Sequence, residues 1–191
     1  MKPFILSLII AVSVSASVTN SFAQAPAGFK PGYIVKHDNT RIEGFIKENF
    51  ASKGALYFIA GAGKKTSYAA SDLKEVGIES TVYISHLTDF FKVIRAGSKA
   101  SLYQKVSSTK GQVLYNGSEA IGVSAGTEGS VNDYFLGLSS ERTLRLVTKQ
   151  NFQQLFTTYC ADCPVFVENI RANKIGYTEI EKVIESYNDC Q

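Results

Sequence analysis

The sequence predicts an α+β protein in which a mostly antiparallel β-sheet, or a half-barrel, is followed by two to three C-terminal helices. Short segments with alternating hydrophobic residues, separated by turn-forming residues, occupy the chain up to about residue 148. From residue 149 onward the hydrophobic spacing changes to the three- and four-residue period of amphipathic helices. Strands first and helices last are typical of a domain whose helices pack on one face or end of a sheet.

Composition indicates a globular chain. Hydrophobic residues make up 45% of the 191 residues and charged residues 19%, and the chain contains 12 Phe and 10 Tyr. Such a chain can bury a core, so wholesale disorder is excluded. The formal net charge of +3 is too small to indicate a nucleic-acid partner.

Residues 1–23 have the three regions of a cleaved secretory signal peptide. Lys2 supplies the positive charge, an apolar run extends to about Val18, and Ser21 and Ala23 are the small residues before the predicted cleavage site. The run is shorter than a membrane-spanning helix requires, and no stop-transfer charges follow it. We therefore expect an exported protein, periplasmic or on the cell surface, with no integral membrane span after signal removal.

Residues 24–191 are expected to form a single exported domain. Two β sub-units within it, at about 32–80 and 81–148, and a helical C-terminus at 149–191 are compatible with the pattern. Alternation and flanking turns predict the strands of the first sub-unit. These are Gly32–Val35, Arg41–Lys47, Ala55–Ala60 and one or two short strands within Thr66–Ile78.

The second sub-unit is predicted by the same signals, with hairpins around tight turns. Its strands are Thr81–His86, Asp89–Gly97, Lys99–Val106, Asp133–Leu138 and Arg142–Thr148. Residues 107–130 concentrate Gly, Ser and Thr around one apolar patch. We interpret them as a long mobile insertion in the sheet.

Three C-terminal helices are predicted. The first and last have apolar stripes, formed by Phe152, Leu155, Phe156 and Tyr159 and by Ile180, Val183, Ile184 and Tyr187. A shorter helix between them is expected to end near Gly176. Thr178 and Glu181 have the spacing of a capping box, which predicts the start of the last helix.

The three cysteines are the main chemical candidates. Cys160 and Cys163 have C-x-x-C spacing, and Cys190 is the penultimate residue. In an oxidising compartment two of the three are expected to form a disulfide, which leaves one thiol. A thiol-disulfide enzyme is the alternative, but Cys160 follows a helical stripe, and a helix C-terminus disfavours the thiolate. Neither histidine has zinc-ligand spacing to these cysteines.

Two glycine-rich motifs match catalytic patterns imperfectly. Gly122–Gly126 reads G-x-S-x-G around Ser124, but no buried strand before it and no helix after it are predicted, and His37 and His86 both precede the serine. Gly61–Thr66 is similar to a phosphate-binding loop but lacks its first glycine and its Ser or Thr after the lysine. No catalytic residue, cofactor or metal is therefore predicted, and the chain is not expected to be an enzyme.

Several segments of the chain, from the opening hairpin to the C-terminal cysteine motifs, are similar to segments of a known group of proteins. The segments are GYIV…DNTRIEGFI, Phe90–Ile94, Gly97, Lys99–Tyr103, Asp162–Pro164 and Tyr187–Cys190. Together they resemble a group of uncharacterised exported proteins of Bacteroidetes-type Gram-negative bacteria. The resemblance implies a periplasmic or surface location and a disulfide between Cys163 and Cys190, with Cys160 as a free thiol. It implies no catalytic residue.

These observations predict an exported cell-envelope protein that is a non-catalytic binding or structural module. The expected partner is a protein or glycan of the envelope, and no nucleic acid is expected. The alternative is a thiol-disulfide oxidoreductase that uses Cys160 and Cys163.

Overall fold

The computed structural model describes residues 25–109, 113–116, 119–123 and 126–190. The predicted signal peptide, residues 1–23, lies outside the described residues, and so does Ser124. The described chain is an α+β fold in which a ten-stranded antiparallel open sheet precedes three C-terminal helices. This confirms the predicted fold class.

The strands follow the predicted order, with ends that differ by a few residues. The first set comprises β1 (Lys30–Val35), β2 (Arg41–Asn49), β3 (Ala55–Ile59), β4 (Thr66–Ala69) and β5 (Glu75–Ile78). The second set comprises β6 (Thr81–His86), β7 (Asp89–Arg95), β8 (Ala100–Lys105), β9 (Val113–Asn116), β10 (Glu119–Val123), β11 (Tyr134–Leu138) and β12 (Leu144–Val147).

Ten of these strands form one sheet in the order β12-β11-β8-β7-β6-β5-β1-β2-β3-β4. Strand β1 has β2 on one side and β5 on the other, so the chain extends the sheet first in one direction and then in the opposite one. Both predicted sets of strands lie in this sheet, because β5 pairs with β6 at the boundary between them. The strands β9 and β10 form a separate two-stranded sheet.

Two clusters of buried side chains pack on this sheet. The first lies against β1 to β7 and contains Ile34, Ile46, Phe50, Leu56, Phe58, Ala70, Leu73, Val76, Ile78 and Phe90. Helix α1 (Phe50–Lys53) and a 3-10 turn at Ala70–Asp72 contribute to it. The second cluster lies between β8, β11 and β12 and the C-terminal helices, which cover this end of the sheet.

A tyrosine on the opposite face of the sheet covers a glycine. Tyr33 in β1 lies directly across from Gly77 in β5, and a Cβ atom at Gly77 would overlap the Tyr33 ring. The Tyr33 hydroxyl donates a hydrogen bond to Glu75 at 2.8 Å, and the Arg41 guanidinium lies 3.4 Å from the ring centroid. This packing joins β1, β2 and β5 at the middle of the sheet.

Replacing Gly77 by alanine is expected to lower the free energy of unfolding by about 1–3 kcal/mol, because the added methyl group displaces the Tyr33 ring. The measurement is urea unfolding followed by circular dichroism. Gly176→Ala is the matched control, since a Cβ atom there meets nothing within 4 Å. Equal stabilities of the two variants would contradict the packing argument.

The helical C-terminus contains α2 (Phe152–Tyr159), α3 (Pro164–Arg171) and α4 (Ile180–Asn188). Helix α3 ends at Arg171, so the predicted end near Gly176 is wrong. Asn173 adopts a left-handed conformation, φ 54°, and the Lys174 amide donates to the Asn169 carbonyl at 3.0 Å. This Schellman termination ends the helix before the glycine that suggested its boundary.

The predicted capping box is also wrong. Thr178 lies inside a 3-10 turn, Tyr177–Glu179, and the N-cap of α4 is Glu179, which makes no side-chain capping hydrogen bond. The Glu181 carboxylate instead lies 3.6 Å from the Arg95 guanidinium on β7. Glu181 therefore pairs with Arg95 of the sheet and does not form a capping box at the start of α4.

The predicted insertion at residues 107–130 contains the β9–β10 hairpin, which the sequence analysis did not predict. A strand, β10 (Glu119–Val123), does precede Ser124, and it belongs to the separate two-stranded sheet. The described residues after it, Gly126–Ser130, are not helical. A nucleophile elbow needs a strand followed by a helix, and residues 126–130 do not supply that helix.

Within the described ranges, no helix is long and apolar enough to cross a membrane.

Candidate binding cleft

A cleft opens beside α1, on the face of the sheet that carries the first buried cluster. Its volume is about 440 Å³, and its lining residues are Glu48, Asn49, Phe50, Ala51, Ser52, Tyr83, Val106, Val131 and Asn132. They come from the end of β2, from α1 and β6, and from the segments that flank the β9–β10 hairpin. This volume lies within the range of sites for small ligands.

Aromatic side chains form the floor of the cleft. The Phe50 ring packs between Tyr83 and Phe90, with centroid separations of 5.0 and 4.7 Å. Phe50 begins α1 directly after β2, and Gly54 ends this short helix in a left-handed conformation, φ 58°. The short helix therefore turns Phe50 into the core while Ala51 and Ser52 remain exposed at the cleft.

The rim of the cleft is polar. Glu48 and Asn132 are exposed, and the Ser52 hydroxyl donates a hydrogen bond to the Asn49 side-chain oxygen. Burial, together with the nearby Glu48 carboxylate, raises the pKa of Tyr83 to about 12. The Tyr83 phenol is therefore neutral at physiological pH.

The charge of the cleft limits its ligands. Glu48 is the one acidic side chain in the described lining, and no described lysine or arginine lines the cleft. An anionic ligand would be repelled there, because nothing in this lining offsets the carboxylate. Carboxylate, amide and hydroxyl groups around aromatic rings suit an uncharged ligand that carries many hydroxyl groups.

The cysteines lie far along the chain from the cleft, at the helical end of the sheet. Cys163 and Cys190 are joined in a disulfide with a Cα–Cα distance of 6.2 Å. Cys160 is buried and not bonded to another cysteine. It follows the last turn of α2, while Cys163 precedes α3, so the C-x-x-C pair spans the turn between two helices.

The environment of Cys160 does not favour thiol chemistry. Burial raises the pKa of its thiol to about 12, with a further contribution from the Asp162 carboxylate. A reactive cysteine needs the opposite, an exposed thiol with a lowered pKa. The C-x-x-C cysteines are also not bonded to each other, because Cys163 pairs with Cys190.

Cys160 in the native protein is therefore expected to resist alkylation by iodoacetamide at pH 8, where only about one thiol in ten thousand is ionised for a pKa near 12. Peptide mass spectrometry after timed labelling measures this. Protein unfolded in guanidinium is the control, in which Cys160 should react within minutes. Equally fast labelling of the native protein would favour the oxidoreductase alternative.

The other sequence candidates are dispersed. His37 Nε2 lies 2.9 Å from the Ser71 carbonyl oxygen, and His86 packs against Phe91, where burial lowers its pKa. Lys64 and Lys65 follow a turn, and the Lys65 ammonium lies over the Tyr57 ring. Among the residues that the structure describes, no three His, Cys, Asp or Glu side chains are grouped to hold a metal.

Sequence reasoning missed the cleft residues. Glu48, Phe50, Tyr83 and Asn132 come from separate parts of the chain, and no local motif connects them. From the composition, the aromatic residues were expected only to help the chain bury a core; Phe50 is buried in this way, whereas Tyr83 also lines the cleft. Only the pairing of distant strands brings this set together.

No protein-family model, no curated protein and no solved structure matches this chain.

Proposed function

We propose that this chain is an exported, non-catalytic binding module of the cell envelope, and that its cleft binds a glycan. The observation that carries the proposal is the composition of the cleft, an aromatic floor with a polar rim and a single carboxylate. The predicted signal peptide supports export, and a disulfide is compatible with an oxidising compartment. The resemblance to exported envelope proteins of Bacteroidetes-type bacteria supports the same location.

The glycan assignment follows from the lining. A sugar ring presents an apolar face, which packs on Tyr83, and hydroxyl groups, which pair with Glu48, Asn49 and Asn132. A protein partner would need a larger contact surface than this cleft supplies. An anionic glycan is disfavoured by Glu48, so the proposal specifies neutral or N-acetylated sugars.

Calorimetric titration with three tetrasaccharides tests the proposal. The probes are cellotetraose, chitotetraose and tetragalacturonate, which are respectively neutral, N-acetylated and acidic. We expect binding of a neutral or N-acetylated probe and none of the acidic one. Failure of all three to bind the wild-type protein would overturn the glycan proposal.

Two tyrosine variants locate the binding. Tyr83→Ala is expected to weaken binding by roughly ten-fold or more, because it removes the stacking surface. Tyr57→Ala is the matched control, since Tyr57 lies on the opposite face of the sheet, between the buried residues Leu56 and Phe58. Equal losses of affinity in the two variants would contradict binding in the cleft.

A further inference from the structure

A buried ion pair lies behind the cleft wall. Asp89 is the first residue of β7 and Lys105 the last of β8, and their side chains are 0% and 1% exposed. The Lys105 ammonium nitrogen lies 3.3 Å from Asp89 Oδ2. An apolar pair of similar size is often at least as stable as a buried ion pair. The pair therefore indicates a role in addition to packing.

The Asp89 carboxylate accepts hydrogen bonds from both ends of the segment that contains the β9–β10 hairpin. On the outgoing side, the Ser107 hydroxyl and the Thr109 amide donate hydrogen bonds to Oδ1 at 2.9 and 2.8 Å. On the returning side, the Thr127 amide donates to Oδ2 at 3.3 Å, and the Thr127 hydroxyl donates to the same atom. One carboxylate thus fixes the distance between the two ends.

The Lys105 ammonium group contacts only the returning side of this segment. Its ammonium group donates to three consecutive carbonyl oxygens, those of Thr127, Glu128 and Gly129, at 2.7, 3.2 and 3.0 Å. These carbonyls belong to no strand of the sheet, so the ammonium group supplies the donors that a neighbouring strand would otherwise provide. A methionine at this position would leave all three carbonyls without this donor.

The same segment forms one wall of the cleft. We call residues Gly126–Asp133 the return segment, because they lead back from the hairpin to β11. The Asn132 amide donates to the Lys105 carbonyl at 2.8 Å, and the Lys105 amide donates to the Asp133 carbonyl at 3.0 Å. Val131 and Asn132 line the cleft, whereas Asp89 and Lys105 do not.

We propose that Asp89 and Lys105 are positioning residues of the binding cleft, which act by fixing the return segment and with it Val131 and Asn132. The proposal rests on the proposed function of the cleft. Asp89 and Lys105 do not line the cleft, so they influence ligand binding only through the position of Val131 and Asn132. The ion pair sets where the Asn132 side chain stands relative to Tyr83 and Glu48 on the other side of the cleft.

The pKa of the Asp89 carboxyl depends on its hydrogen-bond partners. Burial alone would raise the pKa of the Asp89 carboxyl, but hydrogen bonds from the neighbouring hydroxyl and amide groups and the Lys105 charge outweigh it and lower that pKa. The intact mass of the protein tests whether Asp89 and Lys105 are two separate side chains. Condensation of the two to an amide would release one water molecule and lower the mass by that amount, and this result would overturn the proposal.

Native-state hydrogen exchange of Lys105→Met, followed by NMR without any ligand, tests the positioning role. We expect the Thr127, Asn132 and Asp133 amides to exchange roughly ten-fold or more faster than in wild type, beyond any change in α4. Lys99→Met is the matched control, because Lys99 lies next to the other end of β8, where its ammonium group pairs with Asp162. A uniform change over the whole chain, or none in the return segment, would overturn the proposal.

A milder variant covers the case in which Lys105→Met does not fold. Thr127→Val removes one hydroxyl donor to Asp89 and retains the ion pair, so a smaller but local acceleration in the return segment is expected. No local change in this variant would count against the proposal.

The second measurement is the affinity of each variant for whichever tetrasaccharide binds the wild-type protein. We expect roughly ten-fold weaker binding for Lys105→Met and wild-type affinity for Lys99→Met. If no tetrasaccharide binds the wild-type protein, the glycan function fails while the exchange data still decide the positioning role. If the wild type binds and Lys105→Met binds equally well, the positioning role fails and the glycan function stands.

Discussion

Replacing Lys105 by methionine is expected to lower the free energy of unfolding by about 3–5 kcal/mol, the usual cost of removing one partner of a buried ion pair. The variant leaves the Asp89 carboxylate buried without its counter-ion and three carbonyl oxygens without a donor. Urea unfolding, followed by circular dichroism at constant pH, measures the change. The midpoint should fall with little change in the slope of the transition.

Two further variants make this result interpretable. Lys182→Met removes an exposed lysine that pairs with Glu179, and a change within about 0.5 kcal/mol is expected there. The double variant Asp89→Asn, Lys105→Met removes both charges and retains a side-chain oxygen that accepts from Ser107 and Thr109, so it should cost less than Lys105→Met alone. Equal costs for Lys105→Met and Lys182→Met would contradict the buried ion pair.

Removing the Cys163–Cys190 disulfide is expected to cost about 3.5 kcal/mol, the chain-entropy value for a loop closed by cysteines 27 residues apart. The bond fixes the C-terminal residues against the second cluster of buried side chains. Asn188 reinforces this docking, because its side chain accepts from the Lys99 amide at 2.8 Å and donates to the Ala100 carbonyl at 2.8 Å.

The variant for this test is Cys163→Ala with Cys190→Ala, compared with wild type in thermal and urea unfolding. A reducing agent should destabilise the wild type by a similar amount and leave the double variant unchanged, which separates loss of the bond from loss of side-chain packing. Retention of wild-type stability by the reduced protein would show that the bond does not hold the C-terminus.

Local patterns in the sequence were sufficient for the fold class. Alternation placed most strand ends within a few residues, and the helical stripe placed α2 at Phe152–Tyr159. Local motifs failed where a tertiary contact or backbone geometry decided the structure. Glu181 pairs with Arg95 and forms no capping box, and the left-handed Asn173 ends α3 early.

The candidate site could not be predicted from such patterns. Lys105 lies at the end of a predicted strand, where a lysine ordinarily faces solvent, and no sequence signal indicates that three carbonyls of the return segment surround it. Tyr83 has the alternation of a strand residue, and its role at the cleft depends on α1, which follows a different strand. Both features arise from contacts between segments that are distant in the sequence.

The measurement that tests the central claim most directly is an NMR titration of isotopically labelled protein with chitotetraose and cellotetraose. The proposed function predicts shift changes at the Tyr83 ring and at the Asn49, Ser52 and Asn132 amides, with Tyr57 on the opposite face unchanged. Shift changes centred on Tyr57, or no shift changes with either sugar, would contradict a glycan site in this cleft.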